Sequence, residues 1–319
     1  MDGNFKQLEL TSYLQFTREE WCNFFQDTLL TLTEDDLDKL HNQIEIVSLK
    51  EIEEIYLPLA RLLSFYVTER QTLYYATSQF LGKLKPKVPY LIGISGSVAV
   101  GKSTTSQVLK GLLSCWPDHP NVEIITTDSF LYSNAQLERQ GLMDRKGFPE
   151  SYDMPYLLRI LNAIKLGKRK VSIPVYSHHY YGVIPNEYET VDQPDIVIFE
   201  GLNILQTFKK KSDCLFFSNF FDFSLIIDAK IEIIKNWYID RVLSFWRGPF
   251  KSPDAYFHYL TALSEREVVQ FAKKIWRRIN EVNFLENILP FKNRAQLILE
   301  KMDNHSVQRV YLRKTWTEL

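Results

Sequence analysis

Gly96-Ser97-Val98-Ala99-Val100-Gly101-Lys102-Ser103 matches the pattern of a glycine, four residues, a second glycine, a lysine and a hydroxyl residue. An apolar run, Val88-Pro-Tyr-Leu-Ile-Gly-Ile-Ser95, leads into it, and a helix-forming stretch beginning at Thr104 leads out. Strand, glycine loop and helix together make a phosphate cradle. The glycines let the backbone curl so that successive N–H groups face a phosphate, and the helix adds its positive end. In such a loop Lys102 bridges the β- and γ-phosphates of ATP, and the Ser103 hydroxyl ligates Mg²⁺. Residues 96–104 are therefore the nucleotide-binding candidates.

Working outward, Val122–Thr126, Ile196–Phe199 and Phe223–Ile227 are further strand-like runs separated by helical stretches. That alternation predicts an α/β fold of the P-loop NTPase type, a three-layer sandwich around a mainly parallel sheet with extra helices at both ends. Residues 1–87 read as a helical extension. Thr17-Arg-Glu-Glu20 and Ser48-Leu-Lys-Glu51 fit capping boxes, and Ile52, Ile55, Leu59, Leu62 and Leu63 form an apolar stripe. The basic, proline-containing segment 83–87 reads as a linker. Residues 88–319 read as the core plus a mostly helical substrate-binding or lid region, one helix opening at the capping box Ser264-Glu-Arg-Glu267. The whole is expected to be one compact unit.

Composition narrows the function. The formal net charge is −1, so no global basic field points to nucleic acid or an anionic membrane surface. Three scattered cysteines, Cys22, Cys115 and Cys214, suit neither a disulfide framework nor a zinc site. No signal peptide is visible at Met1. The apolar region from Cys214 to Ile227 is broken by Ser218, Asn219 and Asp222, too polar to span a bilayer. A cytoplasmic enzyme is the expectation.

A phosphate loop serves switches, motors and transferases alike. The chain has no guanine-reading Asn-Lys-x-Asp. Asp128, in Thr126-Thr-Asp-Ser-Phe130, stands where a small-molecule kinase needs an acid to take the acceptor's proton. The same residue type also suits a helix N-cap. Glu200 ends the apolar run Asp195-Ile-Val-Ile-Phe-Glu200, either as a Walker B acid reaching Mg²⁺ or as a cap on the next turn. His178-His179 has no third ligand at metal spacing.

More than generic elements are present. Residues 94–105 (ISGSVAVGKSTT), 126–131 (TTDSFL), 146–154 (KGFPESYDM), 174–180 (PVYSHHY), 198–203 (IFEGLN) and the terminal run 286–314 resemble the bacterial-type (type I) pantothenate kinases. The resemblance is collinear from SYLQF at 12–16 to Lys314. Residues 126–130 alone would also fit uridine kinases and phosphoribulokinases, but the helical segment 54–67 and the terminal run fit those poorly. A related kinase of that branch is one rival reading, and a nucleotide-dependent switch without transfer activity is another.

The resemblance implies phosphorylation of pantothenate to 4′-phosphopantothenate with ATP and Mg²⁺, a homodimer, and inhibition by coenzyme A in competition with ATP. It makes Lys102 and Ser103 the phosphate and metal residues and Asp128 the base. It puts Tyr176, His178, Tyr238, Arg241 and Asn280 around pantothenate, and Lys301 and His305 beside the nucleotide base. Tyr238 and Arg241 are three apart on a predicted helix and share a face, from which Arg241 could hold the moving phosphoryl. An arginine there also suits a solvated helix, and Asn280 alone reads as a boundary residue. Phe245, Phe257 and Ile279 could form the apolar wall or plain core. Gln107 and Leu260 depart from the resemblance, which has Arg and Tyr there. A neutral Gln107 would hold the phosphates of coenzyme A more weakly than a guanidinium.

Overall fold

The computed structural model describes residues 12–24, 47–82, 87–116, 121–209 and 214–314. The linker expected at 83–87 lies outside them except for Lys87, which forms an ion pair with Asp195. Seven strands build the central sheet: β1 (Tyr13–Thr17), β2 (Tyr90–Gly96), β3 (Val122–Thr126), β6 (Ile196–Gly201), β9 (Phe223–Asp228), β10 (Leu297–Lys301) and β11 (Val307–Arg313). Across the sheet they run β1, β11, β10, β9, β2, β6, β3. From β10 to β3 all neighbours are parallel, while β11 and β1 are antiparallel additions at one edge. Every residue of β2 and of β6 is buried. This is why both read as unbroken apolar runs: a parallel sheet is covered on both faces. Outside the sheet, β4 (Val171–Ser177) pairs with β5 (Gly182–Val191), and β7 (Thr207–Lys209) with β8 (Cys214–Phe216).

The helices are α1 (Arg18–Asn23), α2 (Leu57–Phe80), α3 (Lys102–Ser114), α4 (Met154–Lys165), α5 (Ile231–Arg247) and α6 (Glu265–Ile275), with shorter turns between. Capping boxes start α1 at Thr17 and α6 at Ser264, as the sequence leads one to expect. Each such cap contributes about 1 kcal/mol by satisfying free backbone donors.

Two expectations need correction. The first segment is not wholly helical, because Tyr13–Thr17 is a strand. Its Tyr13 is buried and donates to Ala295 O at 2.6 Å. Its backbone partners are on β11, Tyr13 facing Arg313. A five-residue edge strand whose partner lies at the other end of the chain leaves little trace in local pattern. At Ser48 only half of the box forms. Ser48 accepts from Glu51 N at 3.2 Å, but the Glu51 carboxylate accepts from Val307 N at 2.8 Å and pairs with Arg18. Glu51 thus joins the first segment to β11.

Candidate active site

Parallel register sets the site. Glu200 lies opposite Ile94 of β2 on one side and Thr126 of β3 on the other. The phosphate loop after β2, the acid ending β6 and the Thr126–Asp128 corner after β3 therefore meet at the carboxyl edge of the sheet, where open α/β sheets bind ligands. Two glycines are required there. Gly96 has φ +149° and a Cβ on it would stand 2.8 Å from Ile227 O. Gly101 has φ +98°, and its Cβ would stand 2.8 Å from Lys301 Nζ.

The charges are concentrated. Lys102 Nζ donates to Ser97 O at 2.8 Å, across the loop. Desolvation pushes its pKa down to about 8, against the upward pull of Glu200 and Asp128. The Ser103 hydroxyl donates to Glu200 Oε1 at 2.9 Å, and Glu200 Oε2 is buried without a hydrogen-bond partner. Burial raises the Glu200 pKa, and Lys102 opposes that rise. A hydroxyl, a buried carboxylate and an orphaned oxygen beside a phosphate loop fit Mg²⁺, which takes few protein oxygens and completes its shell with phosphate and water. Among the described residues no group of three or more His, Cys, Asp or Glu could hold a metal by itself.

Asp128 is free of the capping role. Thr126 caps that turn, its hydroxyl accepting from Asp128 N at 3.3 Å. The Asp128 carboxylate accepts from Tyr152 OH at 3.1 Å on Oδ1.

Aromatic groups stand on the acceptor side. The Tyr176 and His178 rings meet edge to face at 5.2 Å. Desolvation, and then the Arg241 charge, hold His178 below the ordinary imidazole value. Helix α5 carries both Tyr238 and Arg241. Burial raises Tyr238 to about 12, against a side-chain hydrogen bond with Asn280. The Arg241 guanidinium stands 5.2 Å from the Phe245 ring centre, and Phe257 packs on Tyr181 at 4.7 Å and on Phe250 at 5.2 Å. At the loop's other flank, Lys301 is buried at the end of β10, and burial lowers its pKa. His305, in the β10–β11 turn, stacks on Trp237 at 4.2 Å.

A family model described as the phosphoribulokinase / uridine kinase family matches residues 91–248. A pantothenate kinase of Coxiella burnetii (strain RSA 331 / Henzerling II) is 72% identical over 309 residues, 96% of this chain and 97% of that protein. One from Parvibaculum lavamentivorans is 51% identical over 315 residues, 98% of this chain and 97% of that protein. The chain belongs to the pantothenate kinase family. D-glycerate 3-kinase from Cryptococcus neoformans var. grubii is similar in fold alone, with a TM-score of 0.53 at 11% identity over 78% of this chain and 97% of that one.

Within this pantothenate kinase family member, Lys102, Ser103, Asp128, Glu200 and Arg241 form one electrostatic group. Tyr176 and His178 join it through Asp128 and Arg241. Lys301 stands directly against the loop glycine. Leu260 is a buried packing residue, and Gln107 is exposed on α3. Sequence reasoning missed two residues. Lys146 is buried, donates to Asn134 Oδ1 at 2.8 Å and to Tyr181 O, and lies 3.8 Å from the Tyr181 ring centre. Desolvation pushes its pKa down to about 8, while Asp128 pulls it up. Tyr152 is the other. Both lie in the 146–154 run, whose lack of any generic phosphate-loop role was the available signal.

Proposed function

We propose that the protein transfers the γ-phosphoryl group of ATP to a hydroxyl of pantothenate, giving 4′-phosphopantothenate, the entry step of coenzyme A synthesis. One observation carries the mechanism. Asp128, relieved of capping by Thr126, faces the Lys102, Glu200 and Arg241 cluster at the mouth of an aromatic pocket. Asp128 accepts the acceptor's proton as the oxygen attacks phosphorus. Lys102 and Arg241 hold the charge that moves with the phosphoryl group, where such contacts are worth ~3 kcal/mol each. A neutral His178 orients the acceptor, together with Tyr176, Tyr238 and Asn280. Phe245 and Phe257 exclude water. Bound Mg²⁺, held by Ser103 and Glu200, supplies charge neutralisation between the phosphates. Lys301 and His305 serve the nucleotide.

The family model over 91–248 also fits a uridine kinase or phosphoribulokinase-like reading. Tyr238's partner Asn280 and the loop-facing Lys301 lie outside that span, and the full-length relatives favour pantothenate. The proposal extends to a cytoplasmic homodimer inhibited by coenzyme A, weakly so because Gln107 offers an amide where a guanidinium would pair with phosphate. Among the described residues no helix is long and apolar enough to cross a membrane.

The test is Asp128→Asn. Turnover falls roughly 10²- to 10⁴-fold with the KM for ATP almost unchanged, since only proton handling is lost. Collapse of ATP binding with turnover preserved at saturation would assign Asp128 to the metal or to the fold instead.

A further inference from the structure

Tyr152 is buried, and its hydroxyl points at the carboxylate that the proposed reaction uses. The backbone leaves it little choice. Tyr152 forms an isolated β-bridge with Leu131, three residues past Asp128. Tyr132 N donates to Ser151 O at 2.9 Å, and Asp153 N donates to Phe130 O at 2.8 Å. The chain is therefore clamped on both sides of Tyr152 to the segment that carries Asp128.

The clamp is itself anchored. Ser151 Oγ donates to Phe148 O at 2.7 Å and accepts from Gly147 N at 3.0 Å. Gly147 O accepts from both Asn203 and Asn283, each at 3.0 Å. Asp153 caps α4 through Tyr156 N at 3.0 Å. A phenol held by this much fixed backbone is far more than a filler of space. Burial and the Asp128 charge both raise the Tyr152 pKa, so the hydroxyl stays protonated and acts as a donor.

We propose that Tyr152 is a positioning residue for phosphoryl transfer: it donates to Asp128 Oδ1 and so presents Oδ2 to the acceptor hydroxyl. The inference rests on Asp128 being the base. A carboxylate on a short side chain can rotate about its last bond. One fixed hydrogen bond selects the orientation in which a lone pair faces the acceptor, and a near-attack arrangement depends on such placement.

A double-mutant cycle tests it, with turnover, both KM values and thermal unfolding measured for Tyr152→Phe, Asp128→Asn and the double variant. Tyr152→Phe loses roughly ten- to hundredfold in kcat, the worth of one hydrogen bond to a charged group. Its KM for ATP is unchanged. In the Asp128→Asn background the same change has almost no further effect on kcat. An equal loss in both backgrounds overturns the proposal and leaves the reading of Asp128 standing. Full turnover in Asp128→Asn overturns that reading itself, whatever Tyr152 does. Should Tyr152→Phe fail to fold, a ring-fluorinated tyrosine at 152 keeps the shape and alters only the hydroxyl's acidity. A changed kcat then supports the proposal, and an unchanged one overturns it.

Discussion

The Ser103 hydroxyl donates to Glu200 Oε1 across 2.9 Å, tying the first turn of the helix after the phosphate loop to the acid that ends the neighbouring strand. Glu200 keeps a second, buried oxygen without a hydrogen-bond partner. A buried carboxylate left half satisfied is costly to the fold. Its retention at this corner fits a role toward a cation.

Glu200→Gln should therefore trade function for stability. The Mg²⁺ concentration giving half-maximal rate rises roughly 10- to 100-fold, and the melting temperature rises as well. The sign follows from the raised Glu200 pKa. A carboxyl harder to ionise in the folded state destabilises that state as pH climbs above its unfolded value. The stability gap between variant and parent thus closes in acid and opens towards neutral pH. A gap independent of pH would mean that Glu200 ionisation is no burden to the fold.

Lys102 has a pKa pushed down to about 8 by desolvation. Its ammonium form is the one that binds phosphate, so kcat/KM for ATP should fall as pH rises through about 8. Lys102→Arg carries a charge that does not titrate there, and the limb should move to higher pH at reduced overall rate. Lys146, also near 8, stands on the acceptor side, so a limb in kcat/KM for pantothenate should survive the Lys102 change. An ATP limb unmoved in Lys102→Arg would assign it to another cation such as Lys301.

Gly201 follows Glu200 and packs on Thr127, where an added Cβ would stand 2.8 Å from the Thr127 Cβ and closer still to its hydroxyl. Gly201→Ala must displace Thr127 and with it the neighbouring Asp128. The expected cost is about 1–3 kcal/mol in stability from overpacking. At a temperature where the variant is fully folded, kcat should still fall. Denaturant unfolding and kcat at saturation check the two parts, and unchanged kcat would show that Thr127 moves independently of Asp128.

What could be read from the sequence was what is local or strongly periodic. The phosphate loop, the runs that became β2, β3, β6 and β9, the boxes at Thr17 and Ser264, and the shared face of Tyr238 and Arg241 are of this kind. Long-range partnership was hidden. Tyr13 pairs with Arg313 of β11, Glu51 turns from its own box to Val307 N, and Lys301 comes to lie against Gly101. None of these pairings has a sequence period. Tyr152 and Lys146 escaped for another reason: an isolated tyrosine or lysine is common, and only the backbone clamp between Leu131 and Tyr152 and the Tyr181 carbonyl give them direction.

The central claim is a phosphoryl transfer from ATP to pantothenate, and the most direct test is a panel of acceptors followed by ADP release, with pantothenate, uridine, ribulose 5-phosphate, glycerate and no acceptor at matched concentrations. The account predicts ADP release with pantothenate at a rate far above the others, and one phosphate per pantothenate in the product by mass. ADP release equal with and without pantothenate would contradict it and leave a nucleotide-hydrolysing switch. Preference for uridine or a sugar phosphate would contradict it equally and move the protein to another kinase of the same branch.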